Sequence, residues 1–394
     1  MQHLVGSPDT PVAARPLVPY SAEAVGFLEA LSALVLADAE AREYPDVIAF
    51  GFWSRKANLA HLREEFRETR TRLGVGTVFH IAPSNVPINF MFSFAFGLLA
   101  GNSNVVRVPT RDFAQVRIMA RLVTRLFADQ RFARIASMTR FVRYEKNDEV
   151  TQRFTDQCNA RVIWGGDAAI NSIRDIKLPE RATEVVFADR YSFSVIDARS
   201  VVGADAKQFE RLVSGFYNDA FVMDQNACSS PHMVVWLGTD ADATPAQARF
   251  WDGLHKHVEA QYELQPVAAM DKFSQACRNA VEYGDDIAVK RHGNFVYRVE
   301  FNALPDGVDA LRGKFGFFYE YVTASLDVLA PVVNNRYQTL TYFGADKNVL
   351  RDFVVTHGLS GIDRIVPVGS ALDMSVIWDG VDVVRSLSRI VDLA

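Results

Sequence analysis

Two rhythms of apolar and polar residues alternate along much of the chain. Gly76-Thr-Val-Phe-His-Ile-Ala82 is a continuous apolar run of strand length, whereas Asn89 to Ala100 is longer and reads as a buried helix. The alternation continues with a strand at Asn104-Val-Val-Arg-Val108 and a helix from Asp112 to Asp129. A strand from Phe141 to Tyr144, a helix from Asp148 to Gln157, a strand Arg161-Val-Ile-Trp164 and a helix from Asp167 to Ile176 follow. Repeated strand–helix units predict a parallel sheet covered on both faces. Upstream, Ser21 is an N-cap candidate for a helix with Leu28, Leu31 and Val35 at helical spacing, and Leu59, Leu62 and Phe66 repeat the pattern in a charged segment. Both are expected to be surface helices.

A second α/β unit is predicted after Asp197. A long helix runs through Phe209, Leu212 and Phe216 to Asp224-Gln-Asn-Ala-Cys-Ser-Ser-Pro231, and the strand His232-Met-Val-Val-Trp-Leu237 follows. The region from Gly284 to Asn335 has short aromatic runs and no dominant period. Order returns with a strand Thr339-Leu-Thr-Tyr-Phe343, a helix from Lys347 to His357, a strand Arg364-Ile-Val-Pro-Val368 and a final helix from Gly380. At 394 residues the chain is long enough for about two or three domains.

Composition removes several function classes. The net charge of −5 without a dense basic run does not advertise a nucleic-acid surface. The apolar stretch Val86 to Ala100 is shorter than the ~20 residues of a membrane span. Cys158, Cys228 and Cys277 lack CxxC spacing, which disfavours a disulfide framework and a metal site and suits a reducing compartment. The N-terminus lacks the basic and apolar regions of a signal peptide, so a cytoplasmic location is expected.

Three segments carry candidate chemistry. Pro83-Ser-Asn-Val-Pro87 lies at the carboxyl end of a predicted strand, where α/β sheets place ligands; Asn85 there is either a rigid donor to an oxyanion or a helix cap. Trp164-Gly-Gly-Asp167 joins a strand to a helix, and its glycines either let a phosphate approach the helix N-terminus or serve the turn alone. Cys228 is flanked by small polar residues at a helix–strand junction, a setting for an exposed thiol; Cys158 and Cys277 look helical and inert. His232, four residues beyond Cys228, His80 and His292 read as core or surface residues. The aromatic run Phe90 to Phe96 reads as core, which does not exclude contact with an acyl chain.

Taken in order, Pro-x-Asn-x-Pro, Ala100-Gly-Asn-Ser-Asn-Val-Val-Arg107, the strand–Gly-Gly–helix turn and Gln225-Asn-Ala-Cys228 resemble the aldehyde dehydrogenase superfamily. The string Asp-Gln-Asn-Ala-Cys-Ser-Ser-Pro, with Trp-Gly-Gly-Asp before it and Trp378-Asp-Gly380 near the end, is similar to the acyl-CoA reductases of bacterial bioluminescence (LuxC-like) over roughly residues 70–394. The resemblance implies an α/β, aldehyde dehydrogenase-like fold of two interleaved Rossmann-like domains. Residues 1–197 would bind cofactor, residues 198–370 would carry the nucleophile, and residues 371–394 would pack between them.

By the same resemblance Cys228 takes an acyl group from an acyl-CoA or acyl-protein thioester, with Asn85 and the Cys228 N–H forming the oxyanion hole. Arg107 stands where the superfamily usually has a Lys at the adenosine ribose; with Arg111 nearby and Thr110 in place of a Glu, it implies NADPH. Gly165 and Gly166 would border the cofactor. The superfamily's hydrolytic Glu has no counterpart: the alignment puts Val186 at its position and Glu184 two residues early, which favours reduction over hydrolysis. Its second Glu has no clear match, with Glu320 the nearest candidate. The expected protein is an aldehyde-forming reductase of fatty acid metabolism and a homo-oligomer, served by an acyl-activating enzyme. Its alternatives are an NAD-linked aldehyde dehydrogenase and a non-catalytic scaffold of the same fold.

Overall fold

The computed structural model describes every residue except 9–11, 14, 84, 85 and 394. The chain divides into two compact units, Met1–Ala188 together with Met374–Ala394, and Asp189–Asp373.

In the first unit, β1 (Gln2–Val5), β3 (Thr77–Ile81), β4 (Ser103–Arg107), β5 (Thr139–Arg143), β6 (Ala160–Trp164) and β7 (Thr183–Phe187) form one sheet, while β2 (Arg72–Gly74) stands apart. The spatial order is β1-β5-β4-β3-β6-β7, parallel throughout except for β1. The chain therefore starts its parallel strands in the centre, winds outward one way through β4 and β5, and then crosses back to β6 and β7. The reversal point lies between β3 and β6, whose carboxyl ends form the crevice of a doubly wound sheet. Every residue of β3 and of β6 is buried, as strands covered by helices on both faces require.

Helix Asn89–Leu99 covers β3 with Phe90, Met91, Phe94 and Phe96 at 1% exposure or less, so the aromatic run is core. A polar chain threads this apolar layer. Trp164 Nε1 donates to Ser93 Oγ (2.9 Å), Ser93 Oγ meets His80 Nδ1 (2.8 Å), and His80 Nε2 meets Asn104 Oδ1 (2.9 Å). Asn104 Nδ2 donates in turn to the Asn102 carbonyl at 2.8 Å, so the bond from His80 to Asn104 Oδ1 must come from Nε2–H. Burial pulls the His80 imidazole down to about 4 and keeps it neutral, which fits a satisfied core residue. The chain passes so near the helix that a Cβ on Gly97 would collide with Asn104 Oδ1.

The N-terminal helix Ala22–Ala37 is more deeply placed than its spacing suggests. Ser21 caps it, and Phe27, Leu28, Leu31 and Val35 are fully buried; Phe27 packs against Phe94, Phe127 and Phe132. With Glu23 and Glu29 as its charged residues, the helix has too little polar surface to lie open to water.

The second unit holds β8 (Tyr191–Asp197), β9 (Pro231–Leu237), β10 (Ile287–His292), β11 (Val296–Phe301), β12 (Phe317–Thr323), β13 (Tyr337–Phe343) and β14 (Arg364–Pro367). Their order is β10-β11-β12-β9-β8-β13-β14, parallel except for β10. Because β8 pairs with β9 and β13, this unit begins at Asp189, before the expected boundary at Asp197. The single helix expected after Asp197 is two, Ala198–Gly203 and Ala206–Ala220: Ala204 is extended, and Asp205 with Gln208 forms a capping box that restarts the helix. The unassigned region supplies β10 to β12.

The C-terminal segment belongs to the first unit. Asp379 and Gly380 take φ of 49° and 72° and make the two-residue turn of a hairpin between Ile377–Trp378 and Val381–Asp382, where a helix from Gly380 was expected. After one helical turn at Val383–Ser386, Ser388–Ile390 pairs antiparallel with β2. Arg72 fastens this pairing by donating to the carbonyls of Arg385 and Ser388, each at 2.7 Å, and Asn102 Nδ2 donates to the Leu387 carbonyl at 2.8 Å. Among the described residues no helix is long and apolar enough to cross a membrane.

Asp219, fully buried, accepts the N–H groups of Gly369 (2.7 Å) and Ala371 (2.9 Å) within the second unit. Burial, only partly countered by those donors, raises its carboxyl to about 7. A raised carboxyl pKa favours the folded state most at acid pH, and this contribution is lost as pH rises from about 4 to about 7. The stability deficit of Asp219→Asn, followed by urea denaturation, should therefore narrow over that interval by the order of 3–5 kcal/mol and stay constant above it.

Candidate active site

The carboxyl edge of the first sheet gathers Arg107, Gly165 and Gly166. Arg107 ends β4, and its guanidinium lies over the Tyr144 ring, 4.6 Å from the centroid, with Nη2 3.4 Å from the Tyr144 carbonyl. This stacking orients the planar cation and leaves most of its N–H groups for another partner. Arg111 is exposed, over Phe113. Gly165 follows β6, two strand spacings or about 10 Å across the sheet from β4. Gly166 is the N-cap of helix Asp167–Arg174, and a Cβ built on it meets nothing within 4 Å. The space beside Gly166, at the start of this helix and at the sheet's reversal point, is a setting that fits a dinucleotide phosphate. Asn85, the proposed oxyanion donor, lies outside the described residues.

Cys228 belongs to the second unit. It sits, half-buried, in the connection between helix Ala206–Ala220 and the amino end of β9. The connection contains two consecutive left-handed residues, Asp224 (φ 51°) and Gln225 (φ 57°). The buried Gln225 amide uses its full bonding capacity: Nε2 donates to the carbonyls of Pro231 and Phe317, both at 3.1 Å, and Oε1 accepts from the N–H groups of Gly316 (2.9 Å) and Phe317 (3.2 Å). Asp224 Oδ1 accepts from the Tyr262 hydroxyl at 2.5 Å. The Cys228 carbonyl accepts from Ser192 Oγ at 2.7 Å. The turn is therefore anchored on both sides of the thiol. Cys158 is buried, with its thiol pushed up to about 11, whereas Cys277 lies exposed on a helix and not in the interior.

Both carboxylates considered for catalysis are occupied. Glu184, on β7, is bound by Arg161 (2.5 and 2.9 Å) through Oε2 and by Arg174 (2.7 Å) through Oε1. Val186 is half-buried on the same strand. Glu320 is fully buried on β12, where Trp236 Nε1 and Trp251 Nε1 each donate to Oε1 at 2.7 Å and Arg298 Nη1 lies 3.1 Å from Oε2. It is a core carboxylate, not a residue at an open edge. His232 is buried as well: its Nδ1–H donates to the Gly313 carbonyl at 3.1 Å, and burial pulls the imidazole down to about 3, so it is no base. Gln225 and Ser192 were missed by sequence reasoning. Gln225 lay inside the string that drew attention to Cys228, but nothing in its spacing marks a side chain directed at Phe317.

A family model described as acyl-CoA reductase (LuxC) matches residues 19–391. A long-chain acyl-protein thioester reductase of Aliivibrio fischeri is 22% identical over 311 residues, covering 76% of this chain and 61% of that protein. The chain thus spans about three fifths of that relative's length. Solved structures share the fold. An NAD-dependent benzaldehyde dehydrogenase of Corynebacterium glutamicum superposes with a TM-score of 0.62 at 14% identity, covering 95% of this chain and 85% of that one. The glyceraldehyde-3-phosphate dehydrogenase of Methanocaldococcus jannaschii, complexed with NADP, gives 0.61 at 12% identity over 93% and 88%. The architecture is aldehyde dehydrogenase-like.

Removing the Gln225 amide takes a donor from the buried Pro231 and Phe317 carbonyls and the acceptor from the Gly316 N–H, while the Phe317 N–H keeps the Lys314 carbonyl at 3.1 Å. Gln225→Ala should destabilise the protein by about 2–4 kcal/mol and speed iodoacetamide labelling of Cys228, read by peptide mass spectrometry. An unchanged labelling rate would show that the amide does not restrain the turn.

Proposed function

The chain belongs to the LuxC family of acyl-CoA reductases, and from that premise we propose that it reduces an acyl thioester to an aldehyde through a thioester on Cys228, using NADPH. The observation that carries this reading is the anchored turn, which presents a half-buried thiol on a fixed backbone. Cys228 Sγ attacks the thioester carbonyl, the bond to the carrier sulfur breaks, and the carrier leaves as a thiol after taking up a proton. Reduction of the acyl-enzyme leaves a hemithioacetal on Cys228; loss of its hydroxyl proton and cleavage of its C–S bond release the aldehyde and restore the thiolate. The Asn85 amide and the Cys228 N–H are the proposed donors to the carbonyl oxygen as it gains charge. A bound nicotinamide cofactor supplies hydride. Gly165 and Gly166 would take its phosphates at the helix N-terminus, and Arg107 the 2′-phosphate.

Reduction needs the acyl-enzyme to outlast water. Glu184, the nearest candidate for a hydrolytic base, has both oxygens engaged by guanidinium groups, which supports reductive over hydrolytic turnover. This disfavours the aldehyde-oxidising alternative.

The direct test incubates the protein with long-chain acyl-CoA and NADPH, follows loss of the reduced nicotinamide band and identifies the aldehyde. Cys228→Ala should lower aldehyde formation by more than about 10³-fold and remove the acyl adduct from the intact mass. Retained aldehyde production would overturn the covalent route.

Cofactor choice rests on Arg107. Arg107→Ala should raise the KM for NADPH by about 10- to 100-fold, the worth of a charge-assisted phosphate contact, with a much smaller effect on NADH. Equal losses would assign the guanidinium to the ribose or adenine.

A further inference from the structure

The second unit contains a cleft of about 230 Å³ whose chemistry the reading above leaves unused. Lys272, Arg278, Arg312 and Lys314 line it against a single carboxylate, Asp271. Arg312 is committed: it pairs with Asp189 at 3.2 Å and donates to the carbonyls of Asp309 and Arg190. Lys314 and Arg278 are exposed and form no ion pair among the described residues. Lys272 is buried to 2% exposure, and its ammonium donates to the carbonyls of Phe295 (2.7 Å) and Phe315 (2.6 Å), leaving one N–H. Burial pulls it down to about 7, so an ammonium stripped of water gains strongly from a nearby anion.

The wall of this cleft is also the support of the Cys228 turn. The Phe315 N–H approaches the Asp224 carbonyl at 3.5 Å, Gly316 and Phe317 donate to Gln225, and the Gly313 carbonyl accepts from His232. The segment Arg312–Phe317 thus contacts the chain both before and after the thiol within one unit. A cationic basin held to the nucleophile's own loop suits an anionic part of the molecule that delivers the acyl group.

We propose that this basin binds the phosphate of a phosphopantetheinyl acyl donor, the group shared by coenzyme A and by carrier proteins with a phosphopantetheine arm. The proposal rests on the acyl-thioester reading of Cys228. Lys314 and Arg278 supply the exposed charges, and Lys272 forms the floor. A thioester lacking the phosphate loses this contact while keeping the reacting carbonyl.

The test uses the double variant Lys314→Glu, Arg278→Glu, with Lys314→Arg as the conservative control. The ratio of the KM for acyl-CoA to the KM for the matching acyl-pantetheine, which has no phosphate, should rise about tenfold in the double variant and stay near the wild-type value in the control. A parallel arm replaces acyl-CoA with an acylated phosphopantetheinyl carrier protein; the donor whose KM responds identifies the source of the phosphate. An unchanged ratio with both donors overturns the proposal. Calorimetric titration with free coenzyme A, or with free phosphopantetheine, separates this proposal from the function it rests on. If no thioester is reduced, binding that the double variant loses still supports the basin, whereas wild-type protein that binds neither ligand overturns it.

Discussion

One side-chain amide holds the Cys228 loop to the second sheet. Gln225 fills four hydrogen bonds with groups from Pro231, Gly316 and Phe317, and so joins the start of β9 to the start of β12. Its own backbone and that of Asp224 occupy the left-handed region, a conformation that costs non-glycine residues of the order of 1 kcal/mol each. The amide's bonds and the Tyr262–Asp224 contact offset that cost. A loop bound in this way gives the thiol little freedom to recoil, as the attack on a carbonyl proposed for it would require.

The first unit solves a similar problem with a different device. Its sheet is apolar on both faces, yet hydrogen-bonding side chains cross it beside the reversal point. The series Trp164–Ser93–His80–Asn104 spans β6, the covering helix, β3 and β4, and each member has its partner. Such a chain is costly to break, since any missing link leaves polar atoms stranded in the core. It also fixes the indole that precedes Gly165 and Gly166, and Trp164 stacks on Phe187 with centroids 3.9 Å apart. The backbone of the glycine turn therefore leaves a rigid strand end.

Much of this architecture was legible in the sequence, and the reason is local. β3, β4 and β6 are short apolar runs with helices between them, so the period of the pattern changes at each boundary, and Ser21 caps the helix it was expected to cap. The doubly wound plan follows from that alternation. Reading failed where contacts between distant residues decide. In β11 and β12 both faces are buried and the pattern has no period; Arg298 and Glu320 sit inside as a pair that composition cannot anticipate. The Asp379-Gly380 turn was a hairpin signal overlooked beside an apolar tail. Around the candidate site, the thiol and the glycine pair stood out because their flanks were unusual. The residues that restrain them act across long separations, Gln225 to Phe317 and Ser192 to Cys228, and leave no short-range trace.

The return of the C-terminal segment to the first unit bears on the order of events during synthesis. A ribosome delivers Met1–Ala188 long before Met374–Ala394, with the whole second unit made in between. Until then the partners of Arg72 and Asn102, the carbonyls of Arg385, Leu387 and Ser388, do not exist, and the Trp53 indole lacks the Met374 carbonyl it later binds. The nascent first unit must wait with Arg72 held by Glu68 alone and Asn102 by Gly76 and Gly97, while Asp189–Asp373 can fold as a continuous stretch of chain. At translation speeds of about 5–20 residues per second this wait lasts roughly ten to forty seconds, a window in which a chaperone has something to hold.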